Sequence, residues 1–190
     1  VYKRQGQGYG PSELTPDEGV GTVSLSRAEQ LDLPDWLLPV FDASLGADAD
    51  ATAMALRERA PVMLRANLLK GSRDAALKAL AFEQIIAQAH PLASTAIEVI
   101  EGGRKVAGSA TFQAGLVELQ DVASQAVVET LALRKGQRIL DYCAGGGGKA
   151  LALAALADSA VDAWDSDAAR MQDIAKRAER AGADLSLIHI

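Results

Sequence analysis

Four consecutive glycines, Gly145 to Gly148, stand between a predicted strand, residues 138 to 141, and a predicted helix that begins at Lys149. Glycine lets the backbone turn sharply and approach a ligand, and the first turn of a helix presents backbone N–H groups without helical partners. A second predicted strand, residues 161 to 165, also ends in a carboxylate. The pattern predicts a site for a nucleotide-like ligand at the carboxyl ends of two strands.

Three kinds of nucleotide site compete for this loop. A Walker loop needs a glycine and a hydroxyl residue where the chain has Cys143 and Ala150. A dinucleotide loop fits the spacing of Gly145, Gly147 and Ala150, with a carboxylate 20 residues beyond the first glycine. Asp141 would repel a pyrophosphate, however, whereas S-adenosylmethionine brings a sulfonium and an ammonium. The sequence therefore favours S-adenosylmethionine over NAD.

Asp165 ends the second strand and Asp167 follows it, and each has two interpretations. Asp165 is placed to accept hydrogen bonds from both ribose hydroxyls of an adenosine, or it caps the helix that follows. For Asp167 the cap is the preferred interpretation.

The segment Asp141-Tyr142-Cys143-Ala144-Gly145-Gly146-Gly147-Gly148-Lys149 resembles the D-x-C-A-A-P-G-G-K cofactor loop of the RsmB/Sun family of RNA cytosine C5 methyltransferases. Gly145 and Gly146 replace the usual Ala-Pro, and Ala150 replaces a frequent Thr. The resemblance extends from about Pro34 to Gly182. Its other elements are Pro34-x-Trp36, Arg59-x-Pro61, Leu64-Arg65-Ala66-Asn67 with Lys70, Phe112-x-x-Gly115, Gln120-Asp121, Ser124-Gln125, and Asp165 with Arg170.

This resemblance implies an α/β fold: the N-terminal part of a Rossmann-like class I methyltransferase domain, preceded by a small α+β RNA-recognition-like domain. It implies S-adenosyl-L-methionine as cofactor and RNA, commonly 16S ribosomal RNA, as substrate. The cofactor-binding residues would be Asp141, Cys143, Ala144, Gly145, Gly146, Gly147, Gly148, Lys149 and Asp165.

The family attacks C6 of cytosine with a cysteine thiolate and uses a second cysteine for release. Cys143, the only cysteine, lies in the cofactor loop and is interpreted as a packing group. Catalytic residues are therefore expected downstream of Ile190, and the chain itself is expected to transfer no methyl group. Two alternatives remain: a fragment of an NAD-dependent oxidoreductase and a noncatalytic RNA-binding module.

The predicted organisation is a linker or arm over residues 6–33, the α+β domain over 34–115 and the partial Rossmann-like domain over 116–184. The end segments, Val1 to Gln5 and Leu185 to His189, can be encoded by one DNA segment read on opposite strands. They resemble a translated sequencing adapter, so residues 1–5 and 185–190 are left out of the predicted fold.

Charge is unevenly distributed along the chain. Residues 1 to 50 hold nine acidic and three basic residues, which equals the net charge of −6 of the whole chain, whereas residues 57 to 78 hold six basic and two acidic ones. Arginine and lysine can neutralise RNA phosphates. The candidate RNA-binding residues are Arg57, Arg59, Arg65, Lys70 and Arg73, although a solvated helix face explains the stretch equally well.

Composition limits the remaining function classes. With one cysteine and two histidines, metal chemistry is not expected. No apolar run approaches the roughly 20 residues that cross a bilayer. We therefore expect a cytoplasmic protein without a membrane partner, monomeric at full length.

Overall fold

The computed structural model describes residues 24–188. These residues form two compact units that meet in sequence at Arg59 and Ala60. The predictions for residues 1–23 and 189–190, which include the first end segment and most of the arm, lie outside the described residues.

The first unit is helical. It consists of α1 (Arg27–Gln30), α2 (Leu38–Leu45), a 3₁₀ turn (Gly46–Asp48) and α3 (Ala49–Leu56). A capping box between Ser26 and Glu29 begins α1, so a helix forms inside the segment predicted as an arm. Helix α2 buries none of its residues.

The second unit opens with a four-stranded antiparallel sheet. Its strands are β1 (Val62–Ala66), β2 (Ile86–Ala89), β3 (Ala96–Glu101) and β4 (Val117–Leu119), in the spatial order β2-β3-β1-β4. Helix α4 (Arg73–Phe82) connects β1 to β2, and a 3₁₀ helix (Gly103–Gly108) with α5 (Ala110–Gln113) connects β3 to β4. This βαββαβ order with this sheet order is the ferredoxin-like fold.

Strand β4 completes this sheet. The sequence predicts a strand over residues 116 to 119 but assigns it to the second domain; in the structure it pairs with β1, with Leu64 opposite Leu119. Three apolar or acidic residues carry no information about which distant strand they pair with. The ferredoxin-like sheet therefore extends past residue 115.

The second sheet is parallel, with strands β5 (Ile139–Asp141), β6 (Val161–Ala163) and β7 (Leu185–Leu187) in chain order. Helix α6 (Val122–Glu129) precedes it, α7 (Gly148–Ala157) connects β5 to β6, and a 3₁₀ helix (Ala168–Met171) and α8 (Ile174–Ala181) connect β6 to β7. Parallel strands that follow one another in chain order and are connected by helices are the first elements of a doubly wound sheet.

Strand β7 corrects the predicted two-stranded sheet. It lies in the end segment that the sequence-based prediction leaves out of the fold, yet Leu185 pairs with Val161 and Leu187 with Ala163. An apolar segment beside an open strand edge pairs with it whatever its genetic source. The adapter origin of these residues therefore stays a prediction.

Helix α7 is the centre of the second core. Its residues from Ala150 to Ala155 and Ala157 are buried, as expected for a helix that is apolar on every side. The core that contains it also includes Val128 of α6, Val161 of β6 and Ile174 of α8. This packing fixes the N-terminus of α7, and with it the glycine loop.

The described residues contain neither a membrane-spanning helix nor a cluster of metal ligands. Within them, no helix has both the length and the apolarity required to cross a membrane. Across residues 24–188, no group of three or more His, Cys, Asp or Glu side chains is arranged to hold a metal ion.

Candidate cofactor site

The glycine loop joins β5 to α7 in a tight turn. Gly145 and Gly147 have positive φ angles of 50° and 79°, which side chains rarely adopt. Gly147 is also the N-cap of α7, and a Cβ there would lie 2.4 Å from Cγ1 of Ile174. The loop can therefore pass over α8 only because Gly147 has no side chain.

Asp141 ends β5 with a half-buried carboxyl group. Its Oδ2 is buried and makes no hydrogen bond within the described part of the chain. Burial raises the pKa of Asp141 above its usual value, and the charge of Asp165 raises it further. The N–H groups of Ala150 and Cys143 and the charge of Lys149 act in the opposite direction. A buried carboxylate oxygen without a partner is an acceptor for a donor or a cation from outside the chain.

Asp165 lies opposite, just after β6, in a different environment. Its side chain is 2% exposed, and it accepts hydrogen bonds from the N–H of Gly145 (2.9 Å) and the N–H of Asp167 (3.0 Å). Arg170, 60% exposed, forms an ion pair with it at 3.2 Å. The Asp167 N–H, and then the Gly145 N–H and Arg170, hold the pKa of Asp165 below its usual value. Asp165 therefore stays ionised and ties the loop to β6.

The choice between ribose ligand and helix cap has a structural answer for Asp167. Its side chain accepts the N–H of Ala169 and is the N-cap of the 3₁₀ helix, as the sequence predicts. Asp165 does not cap a helix, since its partners are the glycine loop, Asp167 and Arg170. Its role toward a ribose stays a prediction.

The remaining loop residues divide into buried and exposed ones. Ala144 is buried and donates its N–H to the carbonyl oxygen of Trp164 at 2.9 Å. Cys143 and Lys149 are exposed, and the thiol of Cys143 is free. An exposed thiol is not the packing group that the sequence suggests, so that interpretation of Cys143 is wrong.

Two arginines hold the outer side of the loop. Arg177 of α8 donates to the carbonyl oxygen of Gly146 and, through its other terminal nitrogen, to Glu118 of β4 at 3.1 Å. Arg65 of β1 donates to the carbonyl oxygen of Gly148 at 2.8 Å and also to the side chain of Gln120. The ferredoxin-like sheet thus contacts the glycine loop directly.

Of the five candidate RNA-binding residues, Arg65 is buried. It is 2% exposed, and burial lowers its pKa to about 10, so it is a buried cation at neutral pH. Its guanidinium is enclosed by the protein and donates to the carbonyl oxygen of Gly148, where RNA cannot reach it. The prediction that Arg65 contacts RNA is wrong.

The other four candidates are distributed over both compact units. Arg57 and Arg59 belong to the first, where Arg57 pairs with Asp32 at 2.8 Å and Arg59 is exposed. Arg73 donates to the carbonyl oxygen of Ala93 at 3.2 Å. Lys70 donates to two carbonyl oxygens, those of Ala114 and Arg180, at 2.7 and 2.6 Å. Their contact with RNA stays a prediction.

Sequence reasoning missed Glu118 and Arg177. A signal for them exists: Glu118 is an acid between Val117 and Leu119 in a short apolar strand, and a buried acid needs a cation. Arg177 and Arg180 lie three residues apart, on one face of α8, and both pair with Glu118, which is 1% exposed. Neither feature identifies the partner before the fold is known.

Fold and site together define a class: the N-terminal part of a Rossmann-like class I methyltransferase domain preceded by a small α+β domain. The comparisons with known proteins agree. The family described as Methyltr_RsmF/B-like, ferredoxin-like domain, matches residues 33–106.

Relatives of known name are similar to the chain in sequence and in structure. The chain is 34% identical over 148 residues to ribosomal RNA small subunit methyltransferase B of Cronobacter sakazakii, covering 77% of this chain and 34% of the relative. It is similar in structure to a methyltransferase homolog protein from Pyrococcus horikoshii (TM-score 0.77, 23% identity, 86% of this chain and 55% of that one). It is also similar to NSun6 from the same organism with SFG (TM-score 0.72, 14% identity, 83% and 65%).

The chain is therefore similar to members of the RsmB/Sun family. It spans about a third of the length of the curated relatives that it matches.

Proposed function

We propose that the chain is the cofactor-binding part of an S-adenosylmethionine-dependent RNA methyltransferase that modifies cytosine C5, with 16S ribosomal RNA as substrate. The observation that carries this proposal is the buried, unpartnered Oδ2 of Asp141 beside a glycine loop. Support comes from the name of the Cronobacter relative and from the SFG complex, SFG being an analogue of S-adenosylmethionine.

The residues present fit this cofactor. Asp141 would accept the ammonium group, the loop from Cys143 to Lys149 would enclose the methionine part, and Asp165 would accept the ribose hydroxyls. Because a carboxylate has about four acceptor positions, Asp165 could exchange the exposed Arg170 for a ribose and keep its bonds to Gly145 and Asp167. When bound, S-adenosylmethionine supplies the methyl group.

The charge at Asp141 argues against the runner-up, NAD. Two like charges about 4 Å apart repel by about 4 kcal/mol at an effective dielectric constant near 20. A pyrophosphate over the loop would meet this repulsion, whereas an ammonium would gain a comparable attraction. The noncatalytic RNA-binding module gives no reason for an unpartnered carboxylate beside four glycines.

Isothermal titration calorimetry of the 190-residue chain with S-adenosylhomocysteine and, separately, with NAD tests the proposal. We expect heat of binding from S-adenosylhomocysteine only. Heat from NAD alone would favour the oxidoreductase, and salt-sensitive RNA binding without either heat would favour the RNA-binding module.

We predict that Asp141→Asn weakens S-adenosylhomocysteine binding about 10-fold at neutral pH, because a charge-assisted hydrogen bond to the ammonium is lost. In the wild type, affinity should rise with pH as the carboxyl group ionises, since the raised pKa moves this transition above the usual value of 3.8. Affinity of the variant should not follow this transition. Equal pH profiles would contradict the assignment.

The same substitution should change stability in the opposite direction. A carboxyl group whose pKa is raised on folding holds its proton more tightly in the folded state, so stability falls as pH rises from 3.8 through the raised pKa. The ligand-free Asp141→Asn protein lacks this loss. It should therefore unfold at a higher urea concentration than the wild type at neutral pH.

RNA binding is the second part of the proposal. We predict that Arg59→Gln lowers the slope of log affinity against log salt by about 0.7 for single-stranded RNA, the value for one phosphate contact. Fluorescence anisotropy with a labelled RNA oligonucleotide measures it. Arg138→Gln is the control, because Arg138 is 96% exposed and lies outside the basic stretch. Equal slopes for wild type and Arg59→Gln would remove Arg59 from the interface.

We expect no methyl transfer by this chain alone. The thiolate that cytosine C5 chemistry requires is not Cys143, which lies in the cofactor loop, and the sequence has no other cysteine. For the whole protein we propose a cytoplasmic monomer.

A further inference from the structure

We infer that Arg177 is a positioning residue for the cofactor loop, held in place by Glu118 of the ferredoxin-like domain. The inference rests on the proposed cofactor site and adds a residue set that the family resemblance does not contain. Through it, the ferredoxin-like domain contributes to cofactor affinity without touching the cofactor.

The geometry at Arg177 connects three elements. One terminal nitrogen of its guanidinium donates to the carbonyl oxygen of Gly146, and the other donates to Glu118 at 3.1 Å. Glu118 is 1% exposed, so its charge is not screened by water. The carboxylate therefore fixes the guanidinium, and the guanidinium fixes the loop.

Gly146, which stands where the family motif has proline, leaves room for this contact. A Cβ at Gly146 would lie 3.1 Å from Nη1 of Arg177, closer than ordinary contact, and a side chain there would press the guanidinium away. Glycines give the loop conformational freedom, which costs entropy when a ligand orders it. Arg177 restrains the segment that the extra glycines loosen.

Arg65 holds the carbonyl oxygen of Gly148, two residues further along the loop, in the same way. It donates to the Gly148 oxygen at 2.8 Å, and Gln120 donates to that oxygen at 3.2 Å. Arg177 and Arg65 together hold two carbonyl oxygens of the loop, those of Gly146 and Gly148. Such preorganisation raises affinity by lowering the ordering cost of binding.

Arg180 provides a matched control. It also pairs with Glu118, at 2.5 Å, and its guanidinium lies 4.0 Å from the ring centre of Phe112. Its side chain is 20% exposed, against 25% for Arg177, but among the described residues its side chain makes no hydrogen bond to the loop. Arg180→Gln thus removes the same kind of ion pair and leaves the loop contact.

The test compares Arg177→Gln with Arg180→Gln. We expect Arg177→Gln to weaken S-adenosylhomocysteine binding about 10-fold and Arg180→Gln to change it less than about 2-fold. Gly146→Ala, which disturbs the same contact from the loop side, should weaken binding in the same direction and covers the case in which Arg177→Gln does not fold. Equal losses in both arginine variants would reduce Arg177 to a structural role and overturn the inference.

Hydrogen exchange of the ligand-free proteins gives an independent measurement. Peptides covering residues 144–151 should exchange about 10-fold faster in Arg177→Gln than in the wild type or Arg180→Gln, because opening of the loop becomes easier. Unchanged exchange would overturn the inference. If the wild type binds no S-adenosylhomocysteine, the proposed function fails, while this exchange comparison still decides the role of Arg177.

Discussion

Gly115→Ala is expected to lower the free energy of unfolding by about 3 kcal/mol or more, through backbone strain combined with a steric clash. Gly115 has a φ of +72°, and a Cβ there would lie 2.0 Å from the carbonyl oxygen of Arg180. That oxygen is backbone and cannot rotate away. The clash therefore has to displace either the turn before β4 or the end of α8.

Hydrogen bonds hold both the turn before β4 and the end of α8 in place. Asn67, 2% exposed, donates its side-chain amide to the carbonyl oxygens of Gly115 (2.8 Å) and Ala181 (2.7 Å). Lys70 bridges the carbonyl oxygens of Ala114 and Arg180. Moving α8 would break these bonds, which satisfy the last carbonyl groups of the helix.

Urea denaturation measures the loss, and Gly136→Ala separates its two causes. Gly136 has nearly the same φ, +73°, but a Cβ there would meet nothing within 4 Å. This variant should lose only the cost of left-handed backbone, about 1 kcal/mol. Equal losses for the two variants would mean that the close approach of Gly115 to α8 is not a constraint in solution.

Asp165→Ala is expected to weaken S-adenosylhomocysteine binding about 100-fold, the value of two lost hydrogen bonds to the ribose hydroxyls. The buried N–H of Gly145 would also lose its acceptor, so the loop would no longer be tied to β6. Arg170 would lose its ion-pair partner. These effects act on the same loop and in the same direction.

Calorimetric titration tests this prediction, with Asp167→Ala as the matched control. Asp167 is exposed and caps the 3₁₀ helix by accepting the N–H of Ala169, two residues further on. Its removal should leave affinity within about 2-fold, because the cap lies outside the loop. If both variants bind like the wild type, Asp165 has a structural role only, and the ribose must bind elsewhere.

Local sequence was sufficient for the parts of the fold whose signals lie within a few residues. Ser72 caps α4 through the N–H of Ala75, three residues further on. The strand before the glycines, the helix after them and the second strand form where the pattern predicts, within a few residues. Caps, glycine turns and apolar periodicity depend on neighbouring residues, so one segment contains the whole signal.

The pairing of strands and the burial of side chains could not be predicted from such local signals. Strand β2 escaped prediction because its pattern is weak, with four residues of which none is fully buried. Arg65 reads as one member of a basic stretch, yet it is buried against Gly148, 83 residues away. The sequence shows that Arg65 carries a charge, but only the folded chain brings the carbonyl oxygen of Gly148 beside it.

The candidate site also has residues that the sequence indicates and contacts that only the structure gives. Residue types and spacing were enough to indicate Asp141, the four glycines and Asp165, because a ligand loop between a strand and a helix is a local motif. The contact of Arg177 with Glu118, 59 residues away, and the close approach of Gly115 to Arg180 arise from the packing of one sheet against the helices of another. Distances between remote residues depend on that packing, which no local periodicity records.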